Sequence, residues 1–594
     1  MNRRFLEALF LTCSCILFLG ASFFITDKFI ASSSPLGMNG ERFIAMNSQS
    51  AKGKITKPEK NASLYYRFTT NQKVHLKQDI KANGGISLVA CIRTIDGSLD
   101  ESAKTLPFQF GFLYDKSSSS GDSVAPGSNF VSGDYLMFDR AGITSFRISV
   151  SVGAGDVVPA GFFLHSSHPC KIESVSFSGV MVGWDFSSSV PLYAFSSRGG
   201  TVEILEGASA DFTDAGKLFN DSLFPRVSVK FAPTSDIGTW QEQKKVHARY
   251  GNEEITIRRS KTCSTLTLQL AAFRTPYARL SFDESDQVQA ILLEANEPRL
   301  SAKADERILY PFVTDLGMIM SWPRDHWRNQ DYELYEWEQV PHVLFFDFAD
   351  YKIQNDFLTR LAYFAEKTGY KGTLVDDEFV QSHHGYNAHD YKAKDLAAFY
   401  TLAEARGVTL NRREYLLRDI LLANGIIRDE GNGMYAEGAG AIVSFSRASA
   451  EYLRWQFLAH ESWHGIYFTS PEFRAEVDTI YDRFDPTSLA FIQTFWETQP
   501  GLNYDRHDDY LMRNELMAYI MQQSLARIGP YFVSLAERSS VNQIEGDLAA
   551  YIRRTGAAAF SEAGGELNQW AFDNYGFAAG RVNLLYRDSS TGNN

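Results

Sequence analysis

The chain has 594 residues, more than one hydrophobic core usually organises, so two to four domains are expected. With 44% apolar and 22% charged residues it is too hydrophobic for a disordered tail or a collagen-like repeat. The balance of 58 basic against 71 acidic residues, a net charge of −13, removes the attraction that carries nonspecific nucleic-acid binding, and no nucleic-acid partner is expected.

Residues 1–28 read Met-Asn-Arg-Arg, an apolar run from Leu9 to Ile25, then Thr-Asp-Lys, the order of an export signal. The segment is either a cleaved signal peptide or a retained membrane anchor. Both place the body of the chain outside the cytoplasm, in the periplasm, the cell envelope or the medium. Cys13 and Cys15 are followed by strongly apolar sequence, which argues against a lipid anchor. No other run reaches 18 apolar residues, so membrane contact is expected only through this segment. Cys91, Cys170 and Cys263 allow at most one disulfide and are read as buried thiols.

From 40 to 295 the pattern is short β-type runs between Gly, Ser, Asn and Asp clusters: 86–95, 146–152, 172–182, 227–231, 255–259 and 265–271. Ser-Phe-Arg-Ile-Ser-Val-Ser-Val (145–152) alternates like a half-buried strand, and the serine run at 117–122 reads as a loop. The fold class expected here is an antiparallel β-sandwich region of one or two units, presenting substrate or contacting an envelope glycan or protein. The polar stretch 296–306 reads as a linker to a mainly α (α+β) domain over 307–594. Helices are expected at 353–368, 392–406 and 411–423, stopped by Gly369, Gly407 and Asn424-Gly425. Ser470-Pro471 and Asp485-Pro486 mark two more helix starts.

His460-Glu461-Ser462-Trp463-His464 lies in a helical stretch from 448 to 468. Positions i and i+4 share a helix face, so both imidazoles can reach one cation with a carboxylate beside it, an arrangement suited to zinc. A catalytic zinc takes three protein ligands and leaves a position for water, and Glu461 would then be the general base. The third ligand is sought in a second helical stretch, 509–526, where Glu515 stands among Leu511, Met512, Leu516 and Met517. An acid in so apolar a setting is unusual, and Glu515 is read as the ligand. A donor for the developing oxyanion is sought among Tyr504, His507, Tyr510, Arg513 and Tyr519, with His507 and Tyr519 preferred.

On His460-Glu461-x-x-His464 and the later Glu515-x-x-Ala518-Tyr519, the segment 434–526 resembles the gluzincin metallopeptidases. The resemblance implies a zincin-like fold, one Zn2+ per chain held by His460, His464 and Glu515, Glu461 as base, and a peptide or protein substrate. The interval from His464 to Glu515 is longer than in the thermolysin-like arrangement. Gluzincins place an edge strand before the motif helix; 438–445 reads either as that strand or as an ordinary core strand. A cluster of His383, His384, His389 and Asp390 could hold another metal or shape a substrate pocket, but it meets no standard ligand spacing and reads as a structural loop. The aromatic stretches 322–327 and 332–337 read as core. The expected function is an exported zinc metallopeptidase. The alternative is a noncatalytic envelope protein that binds glycan or protein through its β region, with structural or no metal.

Overall fold

The computed structural model describes residues 41–588 apart from short interruptions, the longest being 95–107, 116–129 and 295–309. The segment 1–28, the serine-rich loop 117–122 and the linker 296–306 lie outside the described residues. The chain divides into two compact units. The first runs to residue 298 without 233–246 and 255–267, which belong with 299–594 in the second. Among the described residues no helix is long and apolar enough to cross a membrane.

In the first unit, strands Gly85–Thr94, Ser145–Gly153 and Cys170–Ser178 pair antiparallel in one sheet. Strands Ala62–Arg67, Gly161–Ser166, Phe108–Asp115 and Phe130–Phe138 pair antiparallel in another. Two pairings are parallel, contrary to the purely antiparallel expectation: Leu192–Ser196 beside Ser145–Gly153, and Glu41–Phe43 beside Ala62–Arg67. The period of two decides the core. Ile86, Leu88, Ala90 and Ile92 are all buried, and with Ile148, Val150 and Val152 they share one cluster with Phe110, Phe112, Phe162 and Leu164. A helix, Thr70–Asn83, adds Leu76 and Ile80 to that cluster. Its start is a capping box: Gln72 N donates to Thr69 Oγ1 and Thr69 N to Gln72 Oε1. Cys91 and Cys263 are free, partly buried thiols.

The second unit is built on a five-stranded sheet, β1 (Phe312–Thr314), β2 (Tyr332–Trp337), β3 (Val343–Phe348), β4 (His389–Lys392) and β7 (Ala441–Ser446), in the spatial order β1-β2-β3-β7-β4. The β1–β2 and β3–β7 pairs are parallel, and the β2–β3 and β7–β4 pairs antiparallel. Every residue of β3 and β7 is buried, as strands covered on both faces require. Leu344, Phe346, Phe348 and Ile442 point to one face, where they share a core with helices α1 (Tyr351–Ala365), α3 (Ala393–Ala405) and α4 (Arg412–Ala423). A short helix, α2 (Asp377–Ser382), precedes β4, and a hairpin of β5 (Ile427–Gly431) and β6 (Met434–Glu437) precedes β7. The aromatic run 332–337 is buried strand, as expected.

Beyond β7 the chain is helical as far as Tyr575, with α5 (Glu451–Thr469), α6 (Pro471–Asp482), α7 (Pro486–Thr498), α8 (Asp509–Met521), α9 (Leu525–Ala536), α10 (Ser539–Thr555) and α11 (Ala558–Tyr575), and a short strand, Leu585–Asp588, follows. The proline-marked starts are capped as expected: Phe473 N donates to Ser470 Oγ at 3.1 Å, and Ser488 N to Asp485 Oδ2 at 2.8 Å.

Asp347 on β3 has no exposed surface, and its Oδ2 accepts from Arg447 Nε at 2.6 Å and Arg454 Nη2 at 3.1 Å. Burial pushes its pKa up, and the two guanidinium groups oppose that rise. Arg447 lies in the turn after β7 and Arg454 in the first turns of α5, so one carboxylate fixes the strand-to-helix junction. Replacing Asp347 with alanine strands the buried Arg454 charge and is expected to cost about 3–5 kcal/mol. Urea denaturation followed by tryptophan fluorescence checks this, and Asp347→Asn should lose less.

Candidate metal centre

The junction held by Asp347 delivers α5 to the sheet. Ala450 gives α5 no side-chain cap, and the first turn closes instead with Leu453 N and Arg454 N on Ala450 O, each at 3.0 Å. Further along, Gly465 lies so close to β3 that a Cβ there would stand 2.9 Å from Val343 Cγ1. Glycine is what lets the helix approach the sheet this closely. His460 and His464, one turn apart, line a cavity of about 360 Å³, and their Nε2 atoms are 3.1 Å apart.

Helix α8 brings the third donor. Asp508 caps it, accepting from Leu511 N at 3.1 Å. Arg513 ties it to α6 through Asp482 at 2.8 Å and Asp478 at 3.5 Å. Ala518 is fully buried where α8 packs on α5. Glu515 is 6% exposed, and its Oε2 lies 3.6 Å from His460 Nε2 while its Oε1 lies 3.9 Å from His464 Nε2. Glu515 thus turns a different oxygen to each imidazole, and ligand atoms of the three residues all lie within 4.8 Å of one another, close enough to share one cation. Glu515 Oε2 is buried without a hydrogen-bond partner. An unpartnered buried carboxylate oxygen beside two imidazole nitrogens is a donor set for a cation.

The charges point the same way. Burial pushes the His460 pKa down to about 4, against the attraction of Asp390, so its imidazole is in the neutral, ligating form. Burial raises Glu515 to about 7, opposed by the nearby His464 and by a hydrogen bond from Tyr504. Glu461, 7% exposed, is raised well above the usual carboxylate range by burial, then by the charge of Asp390 and a hydrogen bond with it. Donor atoms of Asp390, Glu461 and His464 all fall within 4.8 Å of one another. A cation would relieve each of these costs.

The remaining sequence candidates separate. Tyr519 lines the cavity, its ring edge-on to His460 at 5.2 Å and packed against Trp496 at 5.3 Å. Tyr504 and Tyr510 also line it. Arg513 is engaged with α6. His507 does not reach the cavity: it is exposed on the turn that caps α8, where its own N–H donates to Asp505 Oδ1 at 2.9 Å. Of the two readings of 438–445, the edge strand and the ordinary core strand, the structure bears out the core strand. β7 is interior, flanked by β3 and β4, and the edge is β4, which places Asp390 opposite Val443 and into the cavity.

The histidines of 383–389 take separate partners. His383 stacks on Phe379 at 3.7 Å, His384 binds Asn355 at 2.8 Å, and buried His389 binds Tyr391 Oη at 2.8 Å. Among the described residues they form no common ligand set. The loop expected at 383–390 ends in strand instead, since His389 and Asp390 lie on β4, and Asp390 lines the cavity as does Glu366, which the sequence does not mark. Asp390 sits in an alternating His-Asp-Tyr-Lys run that signals a short strand, whereas Glu366, at the end of α1, carries no local signal.

Family models, curated proteins and solved structures were all compared with the chain, and none matches it. His464→Ala and Glu515→Ala should each cut bound zinc from about one per chain to below a tenth. Elemental mass spectrometry on protein purified without chelator, with circular dichroism as the check on folding, tests the site.

Proposed function

We propose that the chain is a zinc-dependent metallohydrolase acting on peptide bonds, with His460, His464 and Glu515 as metal ligands and Glu461 as general base. The observation that carries this reading is the convergence of three donor side chains, with ligand atoms within 4.8 Å of one another and the carboxyl of Glu461 buried beside them. In finer terms the second unit is read as a zincin-like catalytic domain and the first as a β-sandwich region. The chain is read as exported, on the sequence of 1–28.

Zinc bound there would polarise a carbonyl oxygen and lower the pKa of a water molecule. Glu461 takes a proton from the attacking water as the new carbon–oxygen bond forms. It returns that proton to the amide nitrogen as the carbon–nitrogen bond breaks, giving a carboxylic acid and an amine, and the acid's proton then passes to the amine or to solvent. Asp390, hydrogen-bonded to Glu461, orients the carboxyl toward the cavity. Tyr519, which lines the cavity, is the oxyanion donor in this reading, in place of the exposed His507. The Asp347 junction and the close approach at Gly465 keep the histidine pair in place during turnover.

Mixed peptides incubated with zinc-loaded protein should yield a new amino terminus, and a chelator should suppress it. Glu461→Gln should retain zinc and lose about 10²–10⁴-fold in kcat. Tyr519→Phe should lose about 10²–10³-fold in kcat with zinc retained. Wild-type protein that carries zinc and cleaves no peptide, ester or amide would sink the catalytic reading and favour a binding role for the β-rich unit.

A further inference from the structure

The cavity gathers more carboxyl groups than one metal ion can serve. Six carboxyl groups line it, Glu366, Asp390, Asp395, Glu461, Asp508 and Glu515, against two lysines. Both lysines are committed: Lys371 Nζ lies 2.6 Å from Asp508, and Lys392 Nζ lies 3.7 Å from Asp395 and over the Tyr510 ring at 3.9 Å. Lys367, next to Glu366 in sequence, rests its ammonium on the Tyr386 ring at 3.4 Å. The other four carboxyl groups make no ion pair with a lysine or arginine among the described residues, although Lys367 is near enough to Glu366 to favour its ionised form. A divalent ion offsets two of them.

Glu366 is the second, independent sign. Its Oε1 is shut off from solvent and has no hydrogen-bond partner, although the residue lines the cavity. It stands outside both groups of side chains able to share a metal ion. Of these, the Asp390, Glu461 and His464 group borrows His464 from the first, so a second ion would compete for a ligand already in use. An organic cation needs no such ligand. It needs carboxylates at hydrogen-bond range and a route in from the cavity.

We propose that Glu366 and Asp390 receive a positively charged group of the substrate, a primary ammonium or a guanidinium, beside the metal centre. The charge has two sources, a free peptide amino terminus or a lysine or arginine side chain. Because Asp390 also touches Glu461, the cation would be seated within reach of the scissile bond, which confines cleavage to bonds near the charge. This rests on the hydrolase reading of the same cavity, and the test separates the two.

Zinc-loaded full-length protein is titrated calorimetrically with n-butylammonium, using wild type, Glu366→Gln and Asp390→Asn, all checked for unchanged melting temperature. Wild type alone is then given three peptides: an unblocked neutral one, an N-acetylated one with a single lysine, and an N-acetylated uncharged one. The ammonium should bind wild type, and at least tenfold more weakly each variant. At least one charged peptide should show a KM tenfold or more below the uncharged one, and which of the two does so identifies the source. Binding of the ammonium with no peptide cleaved would sustain the cation site while the hydrolase reading fell. Equal KM for charged and uncharged peptides would overturn the cation site, as would two zinc ions per wild-type chain with no ammonium binding.

Discussion

One carboxylate with no exposed surface, Asp347, holds the molecule's most consequential junction. It sits mid-sheet on β3 and grips an arginine from the turn after β7 and another from the first turns of α5. A buried acid would ordinarily be neutralised, yet two guanidinium groups at hydrogen-bond range keep a paired charge there worthwhile. The direction of α5 follows from this grip, and the side chains of its later turns follow from that direction. Gly465 then permits the helix to settle on Val343, which fixes its height above the sheet.

The cavity beside that helix is an electrostatic contrast to the junction. At Asp347 every charge has a partner within the protein. In the cavity four acids crowd two imidazoles: burial, and after it the neighbouring carboxylates, pushes Glu366, Glu461 and Glu515 toward protonation, while burial holds His460 neutral against the pull of Asp390. Such a concentration of unmet charge is costly in a folded core and persists where a ligand meets it. The surface charge of the chain is a poor guide to this, because −13 spread over 594 residues says nothing of four acids gathered in one place.

Local periodicity and capping made much of the fold legible. The helices after residue 350 announce themselves through terminal glycines and Ser-Pro or Asp-Pro starts, and α1, α3 and α4 fall within a few residues of the expected limits. The His460, Glu461 and His464 triplet is likewise a short-range pattern on one helix. What escaped is long-range or masked by composition. The helix at 70–83 has only Leu76 and Ile80 to mark its buried face, though its Thr69-x-x-Gln72 start was readable. The edge position of β4 depends on which strand β7 chooses as neighbour, a choice that no window of sequence contains. Glu366 and Glu515 come to one cavity across 149 residues (515 − 366), and nothing around Glu366 distinguishes it from a solvated helix end. His507 misled for the reverse reason: it is near Glu515 in sequence, but the cap of α8 turns it outward.

The interval between His464 and Glu515 has a consequence for how the protein comes to its final state. Two donors lie on adjacent turns of a single helix and exist as soon as that helix forms. The third arrives 51 residues later (515 − 464), after two proline-initiated helices have docked and Arg513 has found Asp482. Closing that interval is a nonlocal event, slow relative to helix formation. A chain still assembling therefore offers a two-toothed grip and a finished one a three-toothed grip, so tight metal retention becomes a marker that the helical layer has closed. The order of synthesis favours this sequence of events, since the histidine helix leaves the ribosome first and the acid that completes the set comes after it.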